Sequence, residues 1–480
     1  MTQSLAWALG IGLFATLLAW PLGWWLRRSP RTAIFWVITP LFMPSYLAYA
    51  GWGLLRAPGS FVGDRLELFA EQGHRWAPIA AGQALAFLGL GLWCAPIAAI
   101  VLAAAFRSIN HSVLESLRLD SSSPFRRALT LVSLTRRSLL AAVAVVALLM
   151  LGSAIPLHLA QVKTLAVDLW FELDNTPARD HWRVWLHAWP LLLIAIAAGW
   201  FIAGRLADPD PTGDATANLP EYSSARQTIT ALLAPIFVLA LAVGVPIALY
   251  ATRLNSFKSL QLFWTLNARA VAHTATIAAL VALFGFMFAV LIAWGLESRR
   301  PASSLIRVMV RLTVILGLVP GVLIGSVVNR TLGSFTWLAE SPLIVVAAHL
   351  GRFALVPALV ACWVVRHEPS SQRDLRTLET GNRFIPWLKT SGLPALPSLL
   401  AGGLAAGLLS LHEIESAVQV MPPGQESLPR QILQYLHFSR LEEMSAAALW
   451  LVLVGLALAA ITAHLLRPLL STSTIRRTRV

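Results

Sequence analysis

Residues 398–411, SLLAGGLAAGLLSL, form an unbroken apolar stretch that is followed at once by three ionisable residues, His412, Glu413 and Glu415. A charged segment, HEPSSQRDLRTLETGNRF at residues 367–384, precedes it. Within one run the chain passes from a solvated loop through an apolar helix to charge at the far end of that helix. This order is typical of a membrane protein whose loop faces an aqueous compartment.

The composition of the 480 residues also indicates a membrane protein. Hydrophobic residues make up 57% of the chain and charged residues only 12%, whereas a soluble domain carries about 25% charged residues. Cys94 and Cys362 both fall inside apolar runs, which argues against a disulfide framework or a zinc site. The net charge of +14 is explained by arginine-rich cytoplasmic loops rather than by nucleic-acid binding.

Apolar runs separated by polar breaks predict an all-α polytopic fold with about eleven transmembrane helices. The clearest linker, RLADPDPTGDATANLPEYSSAR at residues 205–226, divides the chain into a first half at 1–204 and a second half at 227–466, followed by a basic tail at 467–480. Five spans precede the linker and six follow it. They are expected at residues 1–26, 32–55, 76–105, 137–157, 186–204, 229–250, 270–295, 305–328, 342–365, 393–412 and 446–466.

The charge distribution predicts the orientation. Residues 1–26 carry no charged side chain, and Arg27, Arg28 and Arg31 follow them. A cleaved secretory signal has its positive charges before the apolar region, so we interpret this segment as a retained first span. The positive-inside rule then places the N-terminus outside and the C-terminus in the cytoplasm.

The two halves repeat each other in parallel. ITPLFMPSYLAYAGW at residues 38–52 matches LTVILGLVPGVLIGS at 312–326, and the arginine-rich segment at 106–137 matches that at 366–392. Both arginine-rich segments are expected on the same side of the membrane. Repeats of this kind also occur in some secondary transporters, so the repeat alone does not decide the function.

On these residues the chain resembles the permease subunits of binding-protein-dependent ABC importers, in particular the fused two-half permeases of the iron(III) type. That family carries a cytoplasmic Glu-Ala-Ala, three residues, then Gly, and later Leu-Pro. In the first half Glu115 falls on the Glu of this motif, and Ser121 replaces the Gly. In the second half Gly381 and the Leu-Pro step at Pro394 keep the spacing.

Further matches and departures lie in the second half. The Glu position of the motif is Leu375, and Asp374 lies one residue earlier. The stretch LLSLHEIESAVQVMPPGQESLPRQILQYLHF at 408–438 is similar to the family's segment after the loop, with Glu413 on its Glu. The resemblance therefore covers most of the chain, and its two loop motifs are degenerate.

The resemblance implies a type I permease of the inner membrane that is not itself an enzyme. Its partners would be two copies of an ABC ATPase, a periplasmic substrate-binding protein and the lipid bilayer, and no cofactor is expected. The chain has no G-x-x-x-x-G-K-[ST] motif, so ATP hydrolysis would belong to a separate subunit. Iron(III) is the family-level expectation for the solute, with thiamine, phosphonates and other small solutes left open. The ATPase-coupling residues implied by the resemblance are Glu115, Ser121, Asp374, Gly381 and Pro394.

The ionisable residues near the spans leave two interpretations open. Glu413, Glu415 and Arg352 either line the translocation path or form its gate, or they lie at the outer membrane interface, where an arginine snorkels and the acids fix a helix end. The alternative function is a secondary transporter driven by an ion gradient, with Glu413 or Arg352 as its coupling residue. No residue is assigned to a metal, because His412 and Glu413 do not continue into the H-E-x-x-H pattern of a helical zinc site.

Overall fold

The computed structural model describes residues 1–29, 33–120, 123–207, 225–297, 302–368, 373–376, 378 and 383–471. The structure is 86% helical, and its described residues form no strand. The expectation of an all-α fold is therefore confirmed.

The helices follow one another along the chain with short connections. The first eleven are α1 Thr2–Arg28, α2 Ile34–Val37, α3 Ser45–Gly53, α4 Phe61–Glu71, α5 Ala77–Ser108, α6 His111–Asp120, α7 Pro124–Leu151, α8 Ile155–Leu159, α9 Leu165–Asn175, α10 His181–His187 and α11 Trp189–Ala207. The next eight are α12 Ala225–Leu239, α13 Val245–Thr252, α14 Lys258–Glu297, α15 Ala302–Leu318, α16 Gly321–Leu332, α17 Thr336–Ala339, α18 Pro342–Phe353 and α19 Leu355–His367. The last five are α20 Phe384–Trp387, α21 Leu393–Ser410, α22 Glu415–Val418, α23 Leu428–His437 and α24 Leu441–Ser471.

Among the described residues, seven helical segments are long and apolar enough to cross a membrane. They are Thr2–Arg27, Ala77–Ser108, Phe125–Leu151, Leu232–Thr252, Lys258–Glu297, Phe384–Ser410 and Leu441–Leu466. Three further pairs of helices, α10–α11, α15–α16 and α18–α19, pass the same test if each pair is taken as one bent span. The chain is thus a membrane-spanning protein by the length and composition of its helices.

Prolines account for the three bends. The α15–α16 pair bends by 118° at Pro320, and the α18–α19 pair bends by 50° just before Pro357. Pro190 follows the 65° bend between α10 and α11. Proline lacks the amide donor that the carbonyl four residues earlier needs, and its ring crowds that carbonyl, so a helix bends or breaks there.

The expected spans at 32–55 and 137–157 do not coincide with the helices of the structure. Between residues 33 and 56 the chain forms only short helices, α2, α3 and two 3₁₀ turns, separated near Pro40 and Pro44. By contrast, α7 already starts at Pro124, because the polar residues after it contain no further Pro or Gly to break a helix. The expected total of about eleven spans stays a prediction.

The described residues of Met1–Thr164 and Gly213–Arg253 form one compact unit. In it α1 packs between α5 and α7, with Ile11, Ala15 and Ala19 fully buried on one face of α1. Helix α13, which follows the linker, packs on α3, and the hydroxyl of Tyr250 donates a hydrogen bond to the carbonyl of Leu47 at 2.6 Å. This unit therefore includes helices from both sides of the linker.

The described residues of Leu165–Thr212 and Leu254–Val480 form the second compact unit. Its centre is α21, which packs on α14, α19 and α24. A side chain at Gly403 would place its Cβ less than 3.0 Å from the carbonyl oxygen of Ala282 and the amide nitrogen of Phe286 on α14. The missing side chain lets the two helix backbones approach closely, which is how small residues are used in membrane helix packing.

Candidate functional site

The candidate site lies in the second unit, where α18 meets the segment after α21. Arg352 stands in the last turn of α18, just before the bend at Ala354. Pro357 withdraws the amide that would have bonded the carbonyl of Phe353, so α18 ends there and α19 continues in a new direction.

Arg352 makes an ion pair with both glutamates. Its Nη1 donates to Oε1 of Glu413 at 2.7 Å and to Oε2 of Glu415 at 2.8 Å. The side chains are 21% exposed for Arg352 and 7% exposed for each glutamate. Buried carboxylates are costly unless they are paired, so the guanidinium is what permits two acids at this place. We call Arg352, Glu413 and Glu415 the charge cluster.

Glu413 also organises the backbone that follows α21. Its Oε1 accepts hydrogen bonds from the amide of Ser416 at 2.7 Å and from the hydroxyl of Ser416 at 3.0 Å. Because α21 ends at Ser410, residues between it and α22 cannot use helical partners for all their amides. The carboxylate therefore serves both as a counter-ion and as a local cap.

The close approach of α16 completes the cluster. Gly321 is the first residue of α16, directly after the bend at Pro320. A Cβ at this position would lie less than 3.0 Å from Nη1 of Arg352 and 3.0 Å from Oε1 of Glu413. Only glycine leaves room for the guanidinium between α16 and the two carboxylates.

A second polar contact lies one helical turn before Arg352. Nδ1 of His349 and the hydroxyl of Ser410 are 2.6 Å apart, and both residues are buried. This contact ties α18 to the last residue of α21, so α18 and α21 are joined by two polar contacts at neighbouring levels. The charge cluster is consequently held by α16, α18 and the end of α21 together.

The other end of α21 carries a second buried ionic network, centred on Arg376. Its side chain is 2% exposed. Nη1 donates to Oε1 of Glu368 at 2.5 Å and to the hydroxyl of Ser391, and Nη2 donates to Glu297. These partners lie at the end of α14, directly after α19 and in the π-helical turn Leu388–Gly392 that leads into α21. We call Arg376 with these three partners the loop anchor.

The loop anchor favours the charged form of Glu368. Burial by itself would raise the pKa of the Glu368 carboxyl, but hydrogen bonds from Arg376 and Ser391 and the charge of Arg376 hold that pKa below its usual value. Arg373 adds a hydrogen bond from Nη2 to the carbonyl of Val365 at 2.7 Å. The described part of the 367–384 loop is thus attached to the helix ends by arginines.

The structure places the predicted coupling residues on exposed surface where it describes them. Glu115 lies on the exposed side of α6, and Asp374 is exposed beside Leu375, which is 57% exposed. Pro394 is the second residue of α21 and is also exposed. Ser121 and Gly381 lie outside the described residues.

Sequence reasoning groups Arg352, Glu413 and Glu415 as candidates, and the structure brings these three together. It misses Gly321, the contact between His349 and Ser410, and the loop anchor. In the sequence Arg376 is one of several arginines in a polar segment, and nothing there distinguishes it from Arg383, which is exposed. The glycine directly after Pro320 is the one available signal for the close approach of α16.

The described residues contain no group of three or more His, Cys, Asp and Glu side chains arranged to hold a metal ion. No protein-family model matches the chain. No curated protein matches it at a significant level.

Proposed function

We propose that the chain is the membrane-spanning permease of an ATP-driven importer that passes a small solute from a periplasmic binding protein to the cytoplasm. Its hydrolytic partner would be a separate ABC ATPase, bound as two copies. Iron(III) is the solute class suggested by the sequence resemblance. The membrane would be the inner membrane, with the N-terminus outside and the C-terminus in the cytoplasm.

The observation that carries the proposal is the loop anchor. A loop that transmits force from an ATPase needs an exposed contact surface and a stiff attachment to the membrane helices. Leu375 and Leu378 are 57% and 84% exposed, which supports a contact surface. Arg376, between them in sequence, is buried and joined to the ends of α14, α19 and the turn before α21. The segment around Arg376 thus combines an exposed contact surface with a buried attachment to the helix ends.

Helix α21 connects the loop anchor to the charge cluster within the second unit. Its 18 residues span about 27 Å at 1.5 Å per residue. One end begins at the loop anchor and the other ends at Ser410, beside the charge cluster. In this proposal, movement of the loops shifts α21 against α18, and the charge cluster opens or closes the path.

The test is co-purification of the chain with a candidate ATPase and assay of solute-stimulated ATP hydrolysis in proteoliposomes. Gly381→Arg should weaken ATPase binding, and Arg376→Gln should leave binding but reduce stimulation, because the loop no longer moves with the helices. Arg383→Gln, which changes an exposed arginine nearby, is the matched control. Unchanged binding and stimulation in both variants would contradict the proposal.

One observation favours the alternative, an ion-coupled secondary transporter. In the charge cluster two carboxylates share one guanidinium, and an intramembrane carboxylate is the usual binding group for a coupling cation. The two functions separate in proteoliposomes that contain the chain alone. Uptake driven by a proton or sodium gradient without any ATPase would establish the alternative, and its absence together with ATP-dependent uptake would exclude it.

A further inference from the structure

An apolar cavity that is open on one side lies at the bend between α10 and α11. Its volume is about 450 Å³. Three tryptophans, Trp182, Trp185 and Trp189, line it together with leucine and isoleucine side chains of the same two helices. A cavity of this size accommodates a substantial part of a small organic molecule, and its lining is suited to a hydrocarbon group.

The wall of the cavity is held in place by a hydrogen bond. Nε1 of Trp185 donates to the hydroxyl of Ser326 on α16 at 2.8 Å, and Ser326 is fully buried. Trp185 is therefore fixed against α16, whereas Trp182 and Trp189 are 45% and 60% exposed. The cavity thus has a fixed inner wall and an open side.

Two arginines lie against the cavity wall. The guanidinium of Arg183 is 5.5 Å from the ring centre of Trp182, and that of Arg330 is 5.6 Å from the ring centre of Trp185. Both arginines are on the surface, and Nη1 of Arg330 also donates to the carbonyl of Arg179 at 2.8 Å. A guanidinium has five N–H donors, so each can hold a phosphate oxygen while it contacts a ring.

The position of the cavity relative to the membrane follows from its helices. Helix α10 is short and leads through a 65° bend into the longer, apolar α11, and we therefore take α11 as the membrane part of this pair. Tryptophan concentrates where the hydrocarbon meets the headgroups, and arginine near a helix end reaches toward the phosphates. The cavity is therefore at the level at which a lipid has its headgroup and the first part of its acyl chains.

We propose that this cavity is a binding site for one anionic phospholipid, with an acyl chain against Trp182, Trp185 and Trp189 and its phosphate between Arg183 and Arg330. The guanidinium groups over Trp182 and Trp185 favour a lipid with net negative charge over a zwitterionic one. Lipid binding at this site would not require any particular solute or energy source.

The test compares lipid retention by the purified full-length chain. Wild-type protein is exchanged from detergent into phosphatidylglycerol or phosphatidylcholine with identical acyl chains, washed by gel filtration, and its bound lipid is counted by native mass spectrometry. One phosphatidylglycerol should remain per chain under conditions that remove phosphatidylcholine. Arg183→Gln and Arg330→Gln should each weaken retention of phosphatidylglycerol about fivefold, the effect expected for one basic residue near an anionic headgroup.

Two further variants separate the site from general effects. Arg65→Gln removes another surface arginine that lies over an aromatic ring, that of Phe61 in the first unit, and should leave retention unchanged. Ile196→Trp, which fills the cavity from α11, should abolish retention while the protein stays monodisperse and keeps its melting temperature. Equal retention of both lipids, or a loss in Arg65→Gln as large as in Arg183→Gln, would identify the bound lipid as ordinary surrounding lipid and overturn the proposal.

Discussion

Arg352 shows how a single residue decides whether buried acids are tolerated. Glu413 and Glu415 are each 7% exposed, and both are within 2.8 Å of the same guanidinium nitrogen. Removing one partner of a buried ion pair is much more costly than replacing the whole group, because the remaining charge stays buried. The charge cluster should therefore behave as a unit in mutagenesis.

We expect Arg352→Gln to destabilise the protein by about 3–5 kcal/mol, since two buried carboxylates lose their counter-ion. The measurement is the thermal midpoint in detergent, followed by fluorescence-detected gel filtration. The triple variant Arg352→Gln, Glu413→Gln and Glu415→Gln should recover much of the loss because no uncompensated charge remains. If the stability of Arg352→Gln lies within about 0.5 kcal/mol of the wild type, the ion pairs do not support the fold.

Gly321→Ala tests the close approach of α16. The added methyl group would collide with Nη1 of Arg352, so the guanidinium must withdraw from the carboxylates, at a cost of about 1–3 kcal/mol. The same substitution in an Arg352→Gln background should cost clearly less, because the colliding group is gone. If Gly321→Ala destabilises the wild type and the Arg352→Gln variant equally, the double-mutant cycle would show that the methyl group disturbs another part of α16.

Part of the candidate site is predictable from the sequence, and the rest is not, for a physical reason. Ionisable residues beside apolar runs are rare and conspicuous, so Arg352, Glu413 and Glu415 can be selected from the sequence alone. Whether an arginine in a polar loop is buried depends on partners that are distant in sequence. Arg376 reaches Glu297, 79 positions away, across the ends of separate helices.

At the scale of helices, α21 and α14 depend on a backbone contact at Gly403. We expect Gly403→Ala to destabilise the protein, because the new Cβ would meet backbone atoms of α14 that cannot move aside. Gly204→Ala in α11 is the matched control, since nothing lies within 4 Å of its Cβ position. It should be neutral or stabilising by up to about 1 kcal/mol, as expected for an unhindered helical glycine. If the thermal midpoints of Gly403→Ala and Gly204→Ala shift in the same direction, the close-packing interpretation would be contradicted.

The loop anchor links three helix ends through Arg376, so its loss should loosen the loop before it unfolds the protein. We expect Arg376→Gln to accelerate cleavage of the 367–384 segment by proteinase K, with Arg383→Gln unchanged. Arg376→Lys should be intermediate, because an ammonium lacks the planar fork that reaches several acceptors. Since the pKa of Glu368 is lowered, the protection should be present above a pH of about 4 and decline as the pH falls further. Cleavage rates identical to wild type would mean that Arg376 does not hold the loop.

Helix α16 connects two features that are far apart along the chain. Its first residue, Gly321, lies against the charge cluster, and Ser326 on the next turn holds Trp185 in the cavity wall. Five positions along a helix correspond to about 7.5 Å. A lipid that fixes Trp185 would therefore also restrain the helix on which the charge cluster packs.

For the whole molecule, membrane character is predictable because the apolar runs are long enough to cross a bilayer. Helical class follows because a segment in the bilayer has no water to bond its backbone, and a helix satisfies those hydrogen bonds within itself. Pro190, Pro320 and Pro357 indicate where the bends fall, but the bend angles depend on packing. The composition of the compact units is not predictable, since the contact of Tyr250 with Leu47 joins residues on opposite sides of the linker. Such long-range contacts leave no periodic signal in either segment.

The orientation of the chain in the membrane is the remaining prediction at this scale. Cysteine labelling can test it, because the two native cysteines are buried. Cys94 and Cys362 are 0% and 2% exposed, so a membrane-impermeant maleimide should not label the wild type. Glu115→Cys and Asp374→Cys are at exposed positions of the two arginine-rich segments, and both should be labelled only from the cytoplasmic side. Arg179→Cys, at a position that is 86% exposed, should be labelled only from the outside.

The experiment compares right-side-out and inside-out vesicles, with detergent-solubilised protein as the measure of full labelling. Labelling of Glu115→Cys and Asp374→Cys from the same side is the result that a parallel repeat requires, because a parallel repeat brings equivalent loops to one face. Labelling from opposite sides would instead indicate an inverted arrangement. A single ATPase assembly could not then contact both loops, so this outcome would remove the geometric basis of the importer proposal together with the predicted topology.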